Sequence, residues 1–418
     1  MAQIHKKFTD SQVKELVSRY VNKEIKRKFV QEILGIGKTR FFELVKNYNE
    51  NKDDFSVGYV RKNSTRSIPE EVENNIMAEL KAEKGLIDDK KMPTKSYNYS
   101  YIRDRLLYDY SQKVALSTII DRAKRNGFYL GKQSKEKHHD REVLTNYVGE
   151  LVQHDSSHHR WSPYANSMWY LITTIDDYSR YMLYAKFVER ETTWTHIEAT
   201  ESVILKYGLP YSYYVDSHSI FRFVQGRDSL YRNHYLLTDD AQTQWKRVLN
   251  DLGVNVIYAI SPQAKGKAER PYGWLQDRIV RTCAREGIAD IEDGEKVLSK
   301  EMDRYNYKQV YSTTGEIPYI RFKRALSDKV SLFREFDLLP QYKSTKDIFC
   351  IKMTRIIDAY RQISINNLKL KLSGKPRDTA EINIYPIDNE LTELRIWCNK
   401  QLIDVIKTKP GDLNMVHF

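Results

Sequence analysis

The sequence predicts a multidomain chain with all-α helix-turn-helix modules at the N-terminus, a central α/β domain and a small C-terminal β-barrel. Three observations predict it. Helical periodicity dominates up to about residue 126, β-rich runs alternate with helices from about 147, and short turn-separated strands fill residues 326–418. At 418 residues the chain exceeds what one hydrophobic core usually serves. A composition of 41% hydrophobic and 30% charged residues excludes collagen-like, low-complexity and wholly disordered classes.

Charge narrows the class further. The 68 Lys+Arg against 56 Asp+Glu give +12 and a pI near 9.2, which favours a polyanionic partner. The excess is uneven, at +8 in residues 1–150, −1 in 151–300 and +5 in the rest, so two basic flanks enclose a near-neutral centre. The start, MAQIHKKFTDSQ, has neither an apolar run nor a small-residue cleavage site. No stretch approaches the roughly 20 apolar residues of a membrane span, so a cytoplasmic protein with no membrane partner is expected. Cys283, Cys350 and Cys398 match neither a zinc spacing nor a disulfide framework.

Residues 1–50 read as three short helices. Thr9 or Asp10 can cap the first, whose Val13, Leu16, Val17 and Tyr20 follow a 3.6-residue period; the second runs over 26–34. Gly35-Ile36-Gly37 forces a turn before a third helix with Phe41, Phe42, Leu44 and Val45. In a helix-turn-helix the exposed start of that helix, Lys38, Thr39 and Arg40, would face the major groove; a small packing bundle is the alternative. A polar linker follows. Residues 66–130 then form a second, winged module, with helices over 69–84, 97–110 and 116–126, the last carrying Arg122, Lys124 and Arg125. Residues 131–146 are a charged tether.

The central domain, 147–325, opens with extended 148–155 and two strands, 168–175 and 181–188. Asp176 and Asp177 belong to the turn between those strands. A helix over 191–207, a strand at 211–216, a helix over 241–252, a strand at 254–260 and a long helix over 267–286 complete a mixed sheet with helices on its faces. Short strands between 340 and 410 suggest the barrel.

Three acids stand out by position. Asp155 closes the first strand in QHDSSHH, Asp216 ends a later one in VDSHSIF, and Glu269 begins the long helix in SPQAKGKAER. Sites in open α/β sheets form at the carboxyl ends of strands. Clustered carboxylates need cations to stay ionised, and an all-oxygen set suits Mg²⁺ or Mn²⁺. Two such ions suit phosphodiester chemistry. Each acid taken alone could equally be a turn cap or a solvated side chain.

These three stretches, with LQDRIV following in the helix, resemble the integrase core of retroviral-integrase-like DDE transposases. The likeness is to the bacterial insertion-sequence group called ISNCY-type and covers about residues 145–325. It implies a ribonuclease H-like fold, with Asp155, Asp216 and Glu269 as a triad binding two Mg²⁺ (or Mn²⁺) ions. It further implies binding of double-stranded transposon-end and target DNA, cleavage at the ends, and joining of the 3′-OH to the target. A homodimer or larger synaptic complex in the bacterial cytoplasm, associated with the nucleoid, would carry this out. Gln263, Lys265 and Lys267 would lie against the transposon end, and Arg270, Arg278 and Arg281 would continue a basic DNA-facing surface, with an ordinary solvated helix face as the alternative. His154, His158 and His159 could orient phosphate or water. The sequence departs from retroviral integrases in two ways. The Asp216-to-Glu269 gap exceeds their typical 35 residues, with 226–240 as the inserted loop, and their paired His/Cys zinc motif is missing from the first 130 residues. The alternatives are a catalytically inactive DNA-binding regulator and a metal-dependent nuclease that cuts without strand transfer.

Overall fold

The computed structural model describes residues 4–58, 68–131, 145–216, 218–221, 243–259, 266–365 and 368–413. The expected loop at 226–240 lies outside them, as do Gln263 and Lys265. The chain divides into two units, 1–74 and 75–418.

In the first unit, α1 (Asp10–Val21), α2 (Arg27–Leu34) and α3 (Lys38–Glu50) follow one another as expected. Thr9 and Gln12 form a reciprocal capping box that satisfies the free amides at the start of α1. Gly35 ends α2 in the left-handed region at φ 64°, which a side chain would strain. Val13, Val17, Val30, Leu34, Phe41 and Leu44 make this unit's own core. Its ion pairs, such as Arg40–Glu43, lie on the surface.

The second unit contains α4 from residue 75 onward (the helix spans Glu70–Asp88), α5 (Tyr99–Asp109) and α6 (Leu116–Arg125). Residues 128–130 follow without strand pairing, so the expected wing forms no paired ribbon among the described residues.

The centre is a five-stranded sheet of order β3-β2-β1-β4-β5, built from β1 (Val152–His159), β2 (Trp169–Asp176), β3 (Met182–Val188), β4 (Ser212–Val215) and β5 (Asn255–Tyr258). The first three strands pair antiparallel, while β4 joins β1 and β5 in parallel. A short turn suffices between the antiparallel strands, whereas the parallel ones need helical crossovers. Asp176 and Asp177 do hold the β2–β3 turn. Asp176 accepts from the Gly149 and Ser179 amides, both at 2.8 Å, and Asp177 pairs with Arg180 at 2.8 Å. Burial pushes the Asp176 carboxyl up to about 6.

On one face lie α7 (Thr193–Tyr207) and α8 (Gln244–Asp251), whose Ile197, Val203, Trp245 and Val248 share a core with Val152 and Tyr213. Further helices are α9 (Gly266–Glu286), α10 (Ile291–Tyr307) and α11 (Pro318–Ser327). Leu275 and Ile279 of α9 and Val297 and Leu298 of α10 form a second core with Leu171 and Ile175 on the opposite face.

Arg278 and Arg281 do not extend an exposed basic face. Both are buried, Arg281 completely, and their partners are acids of α4, α5, α9 and α10. Arg278 pairs with Asp104 at 3.0 Å and Glu301 at 2.7 Å. Arg281 pairs with Glu83 and with Asp277, the latter at 2.9 Å. Arg285 reaches Glu79 at 2.5 Å and Glu83 at 3.0 Å. The second helical group is therefore docked on α9 and α10 by buried charge pairs.

The C-terminal strands do not close into the expected barrel. Among the described residues, β6 (Ile351–Ile356), β9 (Thr379–Pro386), β10 (Thr392–Cys398) and β11 (Gln401–Thr408) form an open antiparallel sheet of order β11-β10-β9-β6. β7 (Gln362–Ile365) and β8 (Leu368–Lys371) make a separate hairpin. Closure is not needed to bury the apolar residues, because Ile382, Ile384, Leu394 and Ile396 share the α7–α8 core. The side chain of Gln244 in α8 also bonds both backbone groups of Lys352, at 2.8 and 3.0 Å, as a neighbouring strand would. Asp347 organises this region, accepting from Arg395 at 2.6 Å and Trp397 at 2.9 Å. Burial alone would raise its pKa, but these bonds outweigh it and hold the carboxyl below its usual range.

A strap over residues 330–334 leads into this sheet. Leu332 bonds Val148 at 2.7 Å, and Arg334 and Leu209 exchange bonds of 2.7 and 2.9 Å. Gly208, at φ 96°, ends α7 beneath the strap; a Cβ there would sit 2.4 Å from the Arg334 carbonyl oxygen.

Candidate active site

Asp155 lies within β1, not at its end, because antiparallel pairing with β2 carries the strand on to His159. The β4 side behaves differently. Parallel pairing there stops at Val152↔Tyr213 and Gln153↔Tyr214, so β1 runs on without its neighbour. Counting on from those pairs puts Asp155 and Asp216 at the same level of adjacent chains. Asp216 directly follows β4 and accepts the His218 amide at 2.9 Å. The crevice is thus the strand-end position that parallel sheets leave open.

Helix α9 borders it. Pro271 lies inside α9, five residues after its start, where its missing N–H gives up one intrahelical bond. Tyr272 is buried, and its hydroxyl accepts from Thr173 at 2.7 Å; Thr173 is the β2 partner of Asp155. Burial and then the Asp155 charge raise the Tyr272 pKa well above an ordinary phenol, with Glu191 and Asp216 adding to it, so the group stays protonated. Gln276, one turn further on, donates to Ser157 at 3.2 Å. Glu269 precedes Tyr272 by three residues, about one turn, in the α9 backbone. The side chains of Glu269, Lys267 and Arg270 lie outside the described residues. Among the described residues no group of three or more His, Cys, Asp or Glu converges on a metal-sized site. Asp155 and Asp216 are two hard oxygen donors at one level of adjacent chains; oxygen donors suit Mg²⁺ or Mn²⁺, which would need further ligands.

The flanking histidines do not share one role. Side chains alternate along a strand, and His154 occupies the face opposite Asp155. It is fully buried and stacks on Trp245 at 5.7 Å, so it cannot orient a phosphate. His158 stacks on Tyr170 at 4.1 Å. His159 is held below its ordinary pKa by burial and by the neighbouring His158.

Two groups escaped the sequence reading, Glu191 and His196. Glu191 sits between β3 and α7, accepting from Ser156 and, at 3.0 Å, from His196 Nε2. The Thr192/Thr195 capping box starts α7 and leaves Glu191 outside the helix, a signal the sequence does carry.

The proposed DNA-facing residues are spread more widely. Lys38, Thr39 and Arg40 are exposed at the start of α3, with Arg40 paired to Glu43 at 2.8 Å. In α6, Lys124 and Arg125 are exposed while Arg122 is partly covered; Asp121 pairs with Arg122 at 2.7 Å and with Arg125 at 3.1 Å.

No protein-family model matches the chain. A Sinorhizobium fredii protein described as a transposase, y4bF, is 31% identical over 246 residues, covering 59% of this chain and 49% of that protein. The transposase for insertion sequence IS1202 of Streptococcus pneumoniae is 27% identical over 174 residues, covering 42% and 36%. The chain thus spans about half of the first relative and little more than a third of the second. Among solved structures, one similar chain comes from the simian T-cell lymphotropic virus intasome in complex with PP2A regulatory subunit B56 gamma. It is 13% identical with a TM-score of 0.37, over 67% of this chain and 88% of that one. The BIV integrase catalytic core is 19% identical with a TM-score of 0.31, over 43% and 98%. The HTLV-2 integrase catalytic core in complex with magnesium is 14% identical with a TM-score of 0.30, over 41% and 95%. In sequence the chain is a relative of bacterial transposases, the group to which its QHDSSHH, VDSHSIF and SPQAKGKAER stretches pointed.

Proposed function

We propose that the chain is a DDE transposase of an insertion sequence, with a ribonuclease H-like core that cuts transposon-end DNA and joins the freed 3′-OH to a target. The observation that carries this is the common level of Asp155 and Asp216 at the point where β1 and β4 part, with the first turns of α9 alongside. Asp155, Asp216 and Glu269 would hold two Mg²⁺ or Mn²⁺ ions. Such ions, when bound, activate an attacking oxygen and stabilise the leaving one. The protein's own part is to hold two carboxylates at one level of adjacent chains while Tyr272 stays protonated between α9 and β2.

Lys38, Thr39 and Arg40 are the proposed readers of the terminal repeat in the first unit, and Arg122, Lys124 and Arg125 those of the second group. Gln263, Lys265, Lys267 and Arg270 would lie along the transposon end. Joining two ends requires a dimer or a larger synaptic complex, placed with the bacterial nucleoid. No described helix is long and apolar enough to cross a membrane.

The test is single-turnover cleavage of end DNA with Mg²⁺, followed by incubation of pre-cut ends with plasmid. Wild type should cleave and join, and Asp216→Asn should lose both by at least 100-fold, in line with the loss of a group that stabilises developing charge. Equal activity in the two proteins, or none in either, would favour the DNA-binding regulator. Cutting without joined products would favour the nuclease.

A further inference from the structure

Behind Asp155, on the opposite face of β1, is a buried polar chain that the proposed chemistry does not use. His154 and His196 are both fully buried. His154 Nδ1 meets the Thr174 hydroxyl at 2.8 Å, His154 Nε2 meets His196 Nδ1 at 2.8 Å, and His196 Nε2 meets Glu191 at 3.0 Å. Glu191 also accepts from Ser156. Burial works to raise the Glu191 carboxyl, but the bonds from His196 and Ser156 outweigh it and hold it below its ordinary range. An ionised carboxylate only accepts, so His196 Nε2 donates to it. The His196 Nδ1–His154 Nε2 and His154 Nδ1–Thr174 hydroxyl contacts continue the chain into β1 and β2.

The backbone explains why such a chain is useful here. Beyond Gln153 the described ladder to β4 has ended, so among the described residues β1 is paired at Asp155 by β2 alone. Glu191 grips the two residues flanking Asp155, Ser156 directly and His154 through His196. We infer that Glu191 is a positioning residue that anchors β1 from behind and thereby sets the Asp155 carboxylate for cation binding. The inference rests on the proposed role of Asp155 and Asp216, and the experiment separates the two.

Two readouts are taken on the full chain, for wild type, Glu191→Gln, Ser156→Ala and Asp216→Asn. Hydrogen exchange of the β1 amides needs no metal. Mn²⁺ titration followed by electron paramagnetic resonance needs no turnover. Exchange at 154–156 should rise in Glu191→Gln and, less, in Ser156→Ala, while exchange in the C-terminal sheet stays unchanged as the folding control. Mn²⁺ affinity should fall about tenfold in Glu191→Gln, as for loss of a group that orients a ligand, and by less in Ser156→Ala. Unchanged β1 exchange in Glu191→Gln overturns the anchor. So does a loss of Mn²⁺ affinity in Glu191→Gln with none in Ser156→Ala, which would make Glu191 a direct ligand. If exchange rises as expected but Asp216→Asn binds Mn²⁺ as wild type does, the anchor stands and the proposed acidic site fails.

Discussion

Two helical groups of similar length precede the α/β core, and they hold together by different physics. The first (α1–α3) packs Val17, Phe41 and Leu44 into its own core and keeps its ion pairs outside. The second sends Glu79, Glu83 and Asp104 into contact with Arg278, Arg281 and Arg285 of α9. A group with its own core can unfold by itself. A group held by buried charges belongs to whatever supplies the opposite charges. Helix-turn-helix appearance in the sequence does not distinguish these two conditions.

The contrast can be broken most strongly at Arg281. Arg281→Met leaves Glu83 buried without its main partner and should cost about 3–5 kcal/mol, read by urea unfolding of the 75–418 unit. The pair Arg281→Met with Glu83→Leu should recover most of that loss, since an apolar pair of similar volume carries no stranded charge. In the first unit, Leu44→Ala should cost about 2–5 kcal/mol and shift only that unit's transition. A common shift of both transitions would show that the first group does not hold itself together.

Acid sharpens the comparison between kinds of buried acid. Burial raises the Glu83 pKa, only partly opposed by Arg281 and Arg285, so its contribution is present below the usual glutamate value and is lost as pH rises through the folded value. Asp347 is depressed in the folded state, so its contribution is present above the usual aspartate value and is lost as pH falls. As pH falls below about 4, the ordinary aspartate value, the C-terminal sheet should therefore weaken, reported by Trp397 fluorescence, and Asp347→Asn should flatten that dependence. The smallest effect is expected at the surface of the first unit, where replacing both Arg40 and Glu43 by Ala should change stability by no more than about 0.5 kcal/mol. The same replacement would test whether Arg40 contacts DNA.

Much of this was legible in the sequence, because local patterns encode local structure. A cap at Thr9, one of the two residues the reading offered, the glycine stop at Gly35 and the alternation of strand and helix from β1 to α9 all match the reading. What was missed depends on distant partners. The basic run on α9 looked like an exposed face because two of its acids, Glu79 and Glu83, lie some 200 residues upstream. The strand at Asp155 was ended too early, since only pairing with β2 extends it. Helices α10 and α11 and strand β11 were not anticipated. The C-terminal strands implied a barrel until α7 and α8 supplied the surface that covers them. At the acidic crevice only Asp216 was legible as a strand-end residue, whereas the chain through His154 and His196 joins β1 to α7 and leaves no mark in spacing.

Gly208 is where α7 stops and also where the strap is seated. One residue without a side chain thus joins the length of the helix bearing His196 to the path by which the polypeptide leaves for its last sheet. A methyl group there would either push the strap outward or unwind the helix by a residue, and each displacement reaches a different end of the same unit.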